Sequence, residues 1–210
     1  MMDRPFRADD TFVHRLGAGP RTSPETAVLG VVVSLPEPWA ELMVEWRSKC
    51  GDPQASLVPP HVTLLPPTEV PVGDRVAISA HLARVAAAHA PFDMHLSGTG
   101  TFRPVSEVVF VAVARGMAEC ASIASDVRTG PLSRPLSFPY HPHVTVAHDV
   151  PADMLDMAST GLSDLRAEFR VDSFTEFEQL PGGAWAVARE YPLAGALPRA
   201  TDREHPDSVR

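Results

Sequence analysis

Two stretches decide the reading of this chain: Pro59-Pro60-His61-Val62-Thr63-Leu64-Leu65 and Tyr140-His141-Pro142-His143-Val144-Thr145-Val146-Ala147. Each carries the tripeptide His-Val-Thr, each has a proline directly before the histidine, and each places apolar residues between the polar ones. Side chains at i and i+2 of a strand point to one face. His61 and Thr63 therefore project together while Val62 and Leu64 turn to the core, and His143 and Thr145 do likewise against Val144 and Val146. With nine histidines in the chain, a loose His-x-Thr match is expected about once by chance, whereas identical recurrence of the full tripeptide is a matter of roughly a few per cent.

Outward from these stretches the apolar pattern alternates between strand-like and helix-like segments. Residues 27–35 form a β-branched, continuous run, followed by Pro36 and Pro38 at the expected first turn of a helix through Trp39, Leu42, Met43 and Trp46 that Gly51 stops. A short strand is predicted over 61–65 and an alanine-rich helix over 74–89, closed by Pro91. Two strands over 92–102 and 107–114 join around Arg103-Pro104, and a helix follows over 117–128. A strand over 143–147, a short helix over 152–159 and closing strands over 166–179 and 184–189 complete the order, with Pro181-Gly182-Gly183 as the last turn. One unit is used twice. The expected fold class is α+β, with two pseudo-symmetric lobes of mainly antiparallel sheet, outer helices and a cleft between the lobes.

The charge balance bounds the partners. Acidic side chains number 26 against 18 basic ones, a net of −8, and Lys49 is the only lysine. Coating a nucleic-acid backbone requires a net basic footprint, so extended nucleic-acid binding is excluded as an expectation. No run of about 18 apolar residues exists, and Met1 to Thr11 lack the apolar region of a secretory signal; the chain is expected to be cytoplasmic, off the membrane and monomeric. Cys50 and Cys120 are read as reduced thiols. Residues 1–26 are expected to be an N-terminal extension, 27–195 a single bilobal domain and 196–210 a disordered tail.

Two imidazoles and two hydroxyls converging on one cleft suit a phosphodiester. In-line displacement at phosphorus needs a base on one side and an acid on the other, and two histidines of ordinary pKa about 6.5 can hold opposite protonation states near neutral pH. Threonine hydroxyls can donate to the non-bridging oxygens as charge builds on them.

At these residues the sequence resembles the 2H phosphoesterase superfamily, named for its pair of His-x-Thr/Ser motifs, and within it the bacterial 2′-5′ RNA ligase and cyclic nucleotide phosphodiesterase group. The resemblance covers roughly residues 27–190. It implies two antiparallel lobes related by a pseudo-twofold axis and a metal-free cleft without cofactor, where a 2′,3′-cyclic phosphate or 2′-5′ phosphodiester in a small nucleotide or RNA end is cleaved or re-formed. By motif, His61 and His143 are the acid and base, in either order, and Thr63 and Thr145 hold the phosphate. Gly98-Thr99-Gly100-Thr101-Phe102 is similar to the family's glycine-rich strand ending in an aromatic residue near the cleft. Phe102, the following Arg103, and His148, which stands where many members have arginine, are the expected substrate-binding residues. After the first motif, Pro66-Pro67-Thr68 replaces the Phe-Leu-Gly common in that group.

Two other readings stand beside it: a non-catalytic nucleotide or RNA-end binding module that keeps the cleft, and a metal site built on His141 and His143. His81 and His89 are expected to be solvated. Of the 22 prolines, eleven fall between Pro53 and Pro71 or between Pro131 and Pro151, around the two motifs, where they are expected to stiffen the loops entering each strand.

Overall fold

The computed structural model describes residues 26–136 and 138–196; apart from Thr26 and Ala196, the expected N-terminal extension and tail lie outside them. In chain order the elements are β1 (Thr26–Ser34), α1 (Trp39–Lys49), β2 (His61–Pro71), α2 (Arg75–Ala88), β3 (Phe92–Thr101), β4 (Val108–Arg115), α3 (Met117–Val127), β5 (His143–His148), α4 (Ala152–Gly161), β6 (Arg166–Val171), β7 (Ser173–Gln179) and β8 (Trp185–Pro192). The strands form one eight-stranded sheet in the order β6-β3-β4-β5-β2-β1-β7-β8, every neighbouring pair antiparallel. The α+β, two-lobed class expected from the sequence is what the chain adopts. The two lobes are joined edge to edge in one sheet where β2 meets β5.

This order contains the pseudo-twofold. β2, β1, β7 and β8 run outward from the joint on one side, and β5, β4, β3 and β6 on the other. The helices cross the joint, α1 packing on β5 and α3 on β2. One face of the sheet carries the main core, in which Leu29, Val31, Val33, Leu64, Val109, Val111, Val144 and Val146 meet helix residues such as Met43, Ile78, Leu82, Ile123 and Leu155. The opposite face holds a smaller apolar cluster of Val28, Val32, Val58, Phe177 and Trp185. Alternation along each strand thus leaves the second face for polar side chains at the sheet's centre.

Local chemistry accounts for the elements. The carboxylate of Glu37 accepts the Glu41 N–H at 2.9 Å in the first turn of α1, and Gly51, at φ +78°, takes the left-handed conformation just past its end. α4 ends on Gly161, where a Cβ would collide with the Trp46 indole of α1. Strand β2 is longer than the sequence predicts, running to Pro71 through Pro66 and Pro67. Its pairing with β1 jumps from Val31–Leu65 to Leu29–Thr68, so the two prolines, which have no N–H to donate, fall in the irregular stretch of the ladder. His81 is not solvated: it is 6 % exposed, and its Nε2 lies 3.2 Å from the Val127 carbonyl of α3. α3 covers that face of α2, a contact that α2's alanine-rich pattern does not reveal. Cys50 and Cys120 are buried free thiols, and burial pushes the Cys120 pKa up to about 12.

Candidate active site

The site lies on the joint. β2 and β5 pair antiparallel at Val62–Val144, so residues one step to either side fall opposite each other: His61 beside Thr145, and Thr63 beside His143. Register carries the row outward. Ser34 and Val32 of β1 lie opposite His61 and Thr63, while Ala112 and Phe110 of β4 lie opposite His143 and Thr145. Opposed residues share a face, so all four motif residues emerge on the face away from the main core. Val62 and Val144, fully buried, pin the strands from behind.

The two imidazoles are held alike. Nδ1 of His61 is 2.7 Å from the carbonyl of Pro59, and Nδ1 of His143 is 2.7 Å from the carbonyl of His141. In each case a carbonyl two residues upstream accepts the Nδ1–H of the neutral ring and makes Nε2 the proton-accepting atom. The prolines between, Pro60 and Pro142, are buried, which fixes the path of each anchoring loop.

Both rings are held well below the usual histidine range, each to about 4. For His61 the main cause is burial, opposed by the bond to Pro59 and reinforced by the charges of Arg47 and His143. For His143 burial again leads, opposed by its carbonyl bond and reinforced by His141. With folded values below the unfolded one, the native state binds fewer protons than the unfolded chain between pH 6.5 and 4. This contribution to stability is complete above 6.5 and is lost as pH falls toward 4. Urea melts across that window should show stability declining, and declining less steeply in a His61→Gln/His143→Gln double variant. Equal slopes would contradict the linkage.

An aromatic shelf backs His143. The rings of Phe102 and Phe110 are 4.5 Å apart, and that of His143 lies 5.0 Å from the first and 5.1 Å from the second. Gly100 makes the shelf possible: it pairs with Phe110 across β3 and β4, and a Cβ there would sit 2.6 Å from the ring. Gly100→Val should lift Phe110 off β3 and free His143. A roughly tenfold or greater fall in turnover is expected, in line with the cost of small misplacements at reacting groups, with Tm changing little because the ring end can move.

The expected substrate-binding residues divide. Phe102 is part of the shelf. Arg103, beside it, is tied to α4 through a 2.7 Å ion pair of Nη2 with Asp156. His148 is buried, 2 % exposed, with Nδ1 3.4 Å from Asp149 Oδ2. The β4–β5 ladder slips between Val109 and Phe110, and His148 stands opposite the buried Val108.

Several supporting residues escaped the sequence reading. β2 and β5 share a single paired position, and beyond it side chains take over the ladder: the Tyr140 hydroxyl donates to the Thr63 carbonyl at 2.9 Å, and Arg128 Nη1 to that of Leu64 at 3.0 Å. The Arg128 guanidinium lies 5.0 Å from the centre of the Tyr140 ring. On the other side, buried Arg47 of α1 bonds Asp52 at 2.8 Å and donates to the Val58 carbonyl, fixing the loop that enters β2. Among the described residues, no three His, Cys, Asp or Glu side chains gather as a metal-binding group.

Comparison with known proteins places this geometry. The 2′-5′ RNA ligase superfamily matches residues 35–180. The chain belongs to that superfamily, the 2H phosphoesterases. A Bacillus cytotoxicus protein named provisionally as a phosphoesterase is 28 % identical over 169 residues, 79 % of this chain and 96 % of its own. The structure of E. coli LigT bound to phosphate shares the fold at TM-score 0.60 and 22 % identity, over 80 % of this chain and 98 % of LigT; LigT is also known bound to 3′-AMP. TT0787 of Thermus thermophilus matches at TM-score 0.54 and 26 % identity, over 80 % and 98 % of the two chains.

Proposed function

We propose that this chain is a metal-independent phosphoesterase that acts on a 2′,3′-cyclic phosphate or 2′-5′ phosphodiester of a nucleotide or RNA end, with His61 and His143 as its acid and base. The observation that carries the proposal is the matched anchoring of the two rings, each offering Nε2 to the same face beside the other motif's threonine. One histidine takes a proton from water, or from a hydroxyl in the ligation direction, as the new O–P bond forms. The other gives its proton to the leaving oxygen as the old bond breaks. The hydroxyls of Thr63 and Thr145 donate to the non-bridging oxygens, replacing water as their hydrogen-bond partners. A bound phosphate anion also raises the proton affinity of both rings, so the acid acquires its proton when substrate is present.

LigT has been seen with 3′-AMP, a monophosphate of the kind that opening a 2′,3′-cyclic phosphate yields, and with phosphate, which shares its anionic group. The acidic balance of −8 fits a small or terminal phosphate held locally by a monomer better than a long polyanion. The test is turnover of 2′,3′-cyclic mononucleotides, 2′-5′ dinucleotides and cyclic-phosphate RNA ends, with and without chelator. Chelator-resistant product from at least one substrate, with kcat/KM greatest below pH 6.5, is expected. No product from any, together with equal nucleotide affinity in wild type and His61→Ala/His143→Ala, would instead establish a binding module.

A further inference from the structure

The two motif rings are held alike, but their neighbours on the outer strands differ. Opposite His61 on β1 stands Ser34; opposite His143 on β4, the place that the pseudo-twofold makes equivalent, stands Ala112. Val33 and Val62, paired one step on, both turn to the main core, so Ser34 projects with His61 on the face that carries the motifs. Thr175 of β7 reaches the same face, since it pairs with Val32, which pairs in turn with Thr63. The Ser34 hydroxyl donates to Thr175 Oγ1 at 3.1 Å. Ser34 is exposed and Thr175 only 5 % exposed, so the buried hydroxyl sets the direction of the exposed one. Glu190, opposite Thr175 on β8, is engaged by the Ser173 hydroxyl.

We propose that Ser34 is a further substrate-contacting residue, which holds the attacking water at His61 and so biases the site toward hydrolysis over transfer to an alcohol. The inference rests on the phosphoesterase reading above. A hydroxyl has one hydrogen to donate and two lone pairs that accept. With its hydrogen given to Thr175, Ser34 presents an acceptor beside His61, where the matching position by His143 has only the methyl group of Ala112.

In-line displacement has two apical oxygens, one for each histidine. The leaving ribose oxygen carries no hydrogen until its bond to phosphorus breaks, so an acceptor does nothing for it. An attacking alcohol has one O–H, which goes to the base. Water has two. One O–H points to His61 Nε2 and the other to Ser34 Oγ, which leaves a lone pair of the water oxygen aimed at phosphorus, the orientation that in-line attack needs. In the forward step the first proton passes to His61 as the water oxygen bonds phosphorus. The P–O bond to the ribose oxygen breaks, and that oxygen takes a proton from His143. The second hydrogen of the water stays on the product phosphate until solvent removes it, and solvent exchange restores both rings.

The test is turnover of a 2′,3′-cyclic mononucleotide in water with a fixed fraction of methanol, the free monophosphate and its methyl ester being measured together, for wild type, Ser34→Ala, Ser34→Thr and Thr175→Val. In Ser34→Ala the kcat for hydrolysis should fall about threefold to tenfold, the contribution of one neutral hydrogen bond, with KM little changed. Methanolysis should not fall with it, so the ratio of ester to free phosphate should rise by the same factor. Thr175→Val, which keeps the Ser34 hydroxyl but removes the acceptor that turns it, should move the ratio the same way, and Ser34→Thr should keep the wild-type ratio. A loss shared equally by both products would be a purely structural effect and would overturn the inference, as would a rise in KM at unchanged kcat. Absence of any product from wild type is the separate outcome that removes the phosphoesterase reading, and this inference with it.

Discussion

His61→Ala and His143→Ala should each lower kcat on the preferred cyclic phosphate by about a hundredfold to ten-thousandfold, the range of a lost general acid or base. Both rings emerge at the sheet's centre, with Nδ1 bound to a carbonyl two residues upstream. Neither is a core side chain whose loss would collapse the fold. The buried pair Val62 and Val144 holds the strands together, so circular dichroism and Tm should stay near wild type while turnover falls. The double variant should lose little more than either single one, because an acid without its base completes only half of the proton transfer. A single variant that keeps more than about a tenth of wild-type kcat would remove that histidine from the proton-transfer step, since the smallest loss expected for such a group is larger.

Thr63→Val and Thr145→Val test the second half of the site and should each cost about 10²- to 10³-fold in kcat, as the loss of one donor to a developing oxyanion does. Valine matches threonine in shape and strand preference, and both positions are only half-buried, so stability should hold or rise slightly. Because each threonine stands beside the histidine of the other motif, the two losses should be similar, and KM should change much less than kcat. The reverse, a large rise in KM with kcat intact, would mean that the hydroxyls hold the ground-state phosphate and not the transition state.

The centre of this molecule was the legible part. The repeated His-Val-Thr, the strand alternation around it and the doubled order of elements led directly to four side chains on one face and to an α+β fold with internal symmetry. What stayed hidden depends on contacts distant in sequence. The strand predicted over 61–65 runs on through Pro66 and Pro67, which an irregular ladder against β1 absorbs. His148 was placed by counting along β5, and its burial opposite Val108 depends on β4. His81 looked solvated because nothing in α2 announces that α3 covers it. Phe110 was unremarkable alone and Gly100 was legible only as part of a glycine-rich strand; their joint meaning comes from being opposite each other across β3 and β4. Tyr140 lies three residues before His143, yet its partner is the backbone of the other motif, 77 positions away.

The sheet order also bears on how the protein is made. Strands β3 to β6, the half that carries no part of the first motif, span one unbroken segment. The half around His61 is assembled from both ends of the described chain, β1 and β2 before that segment and β7 and β8 after it. During synthesis from the N-terminus, β1 must wait with one edge open while more than a hundred further residues emerge, until β7 arrives and Thr175 reaches Ser34 beside His61. The face that carries the two motifs is therefore finished late: a nascent chain can already display both histidines before the strand that closes the sheet behind the first of them exists.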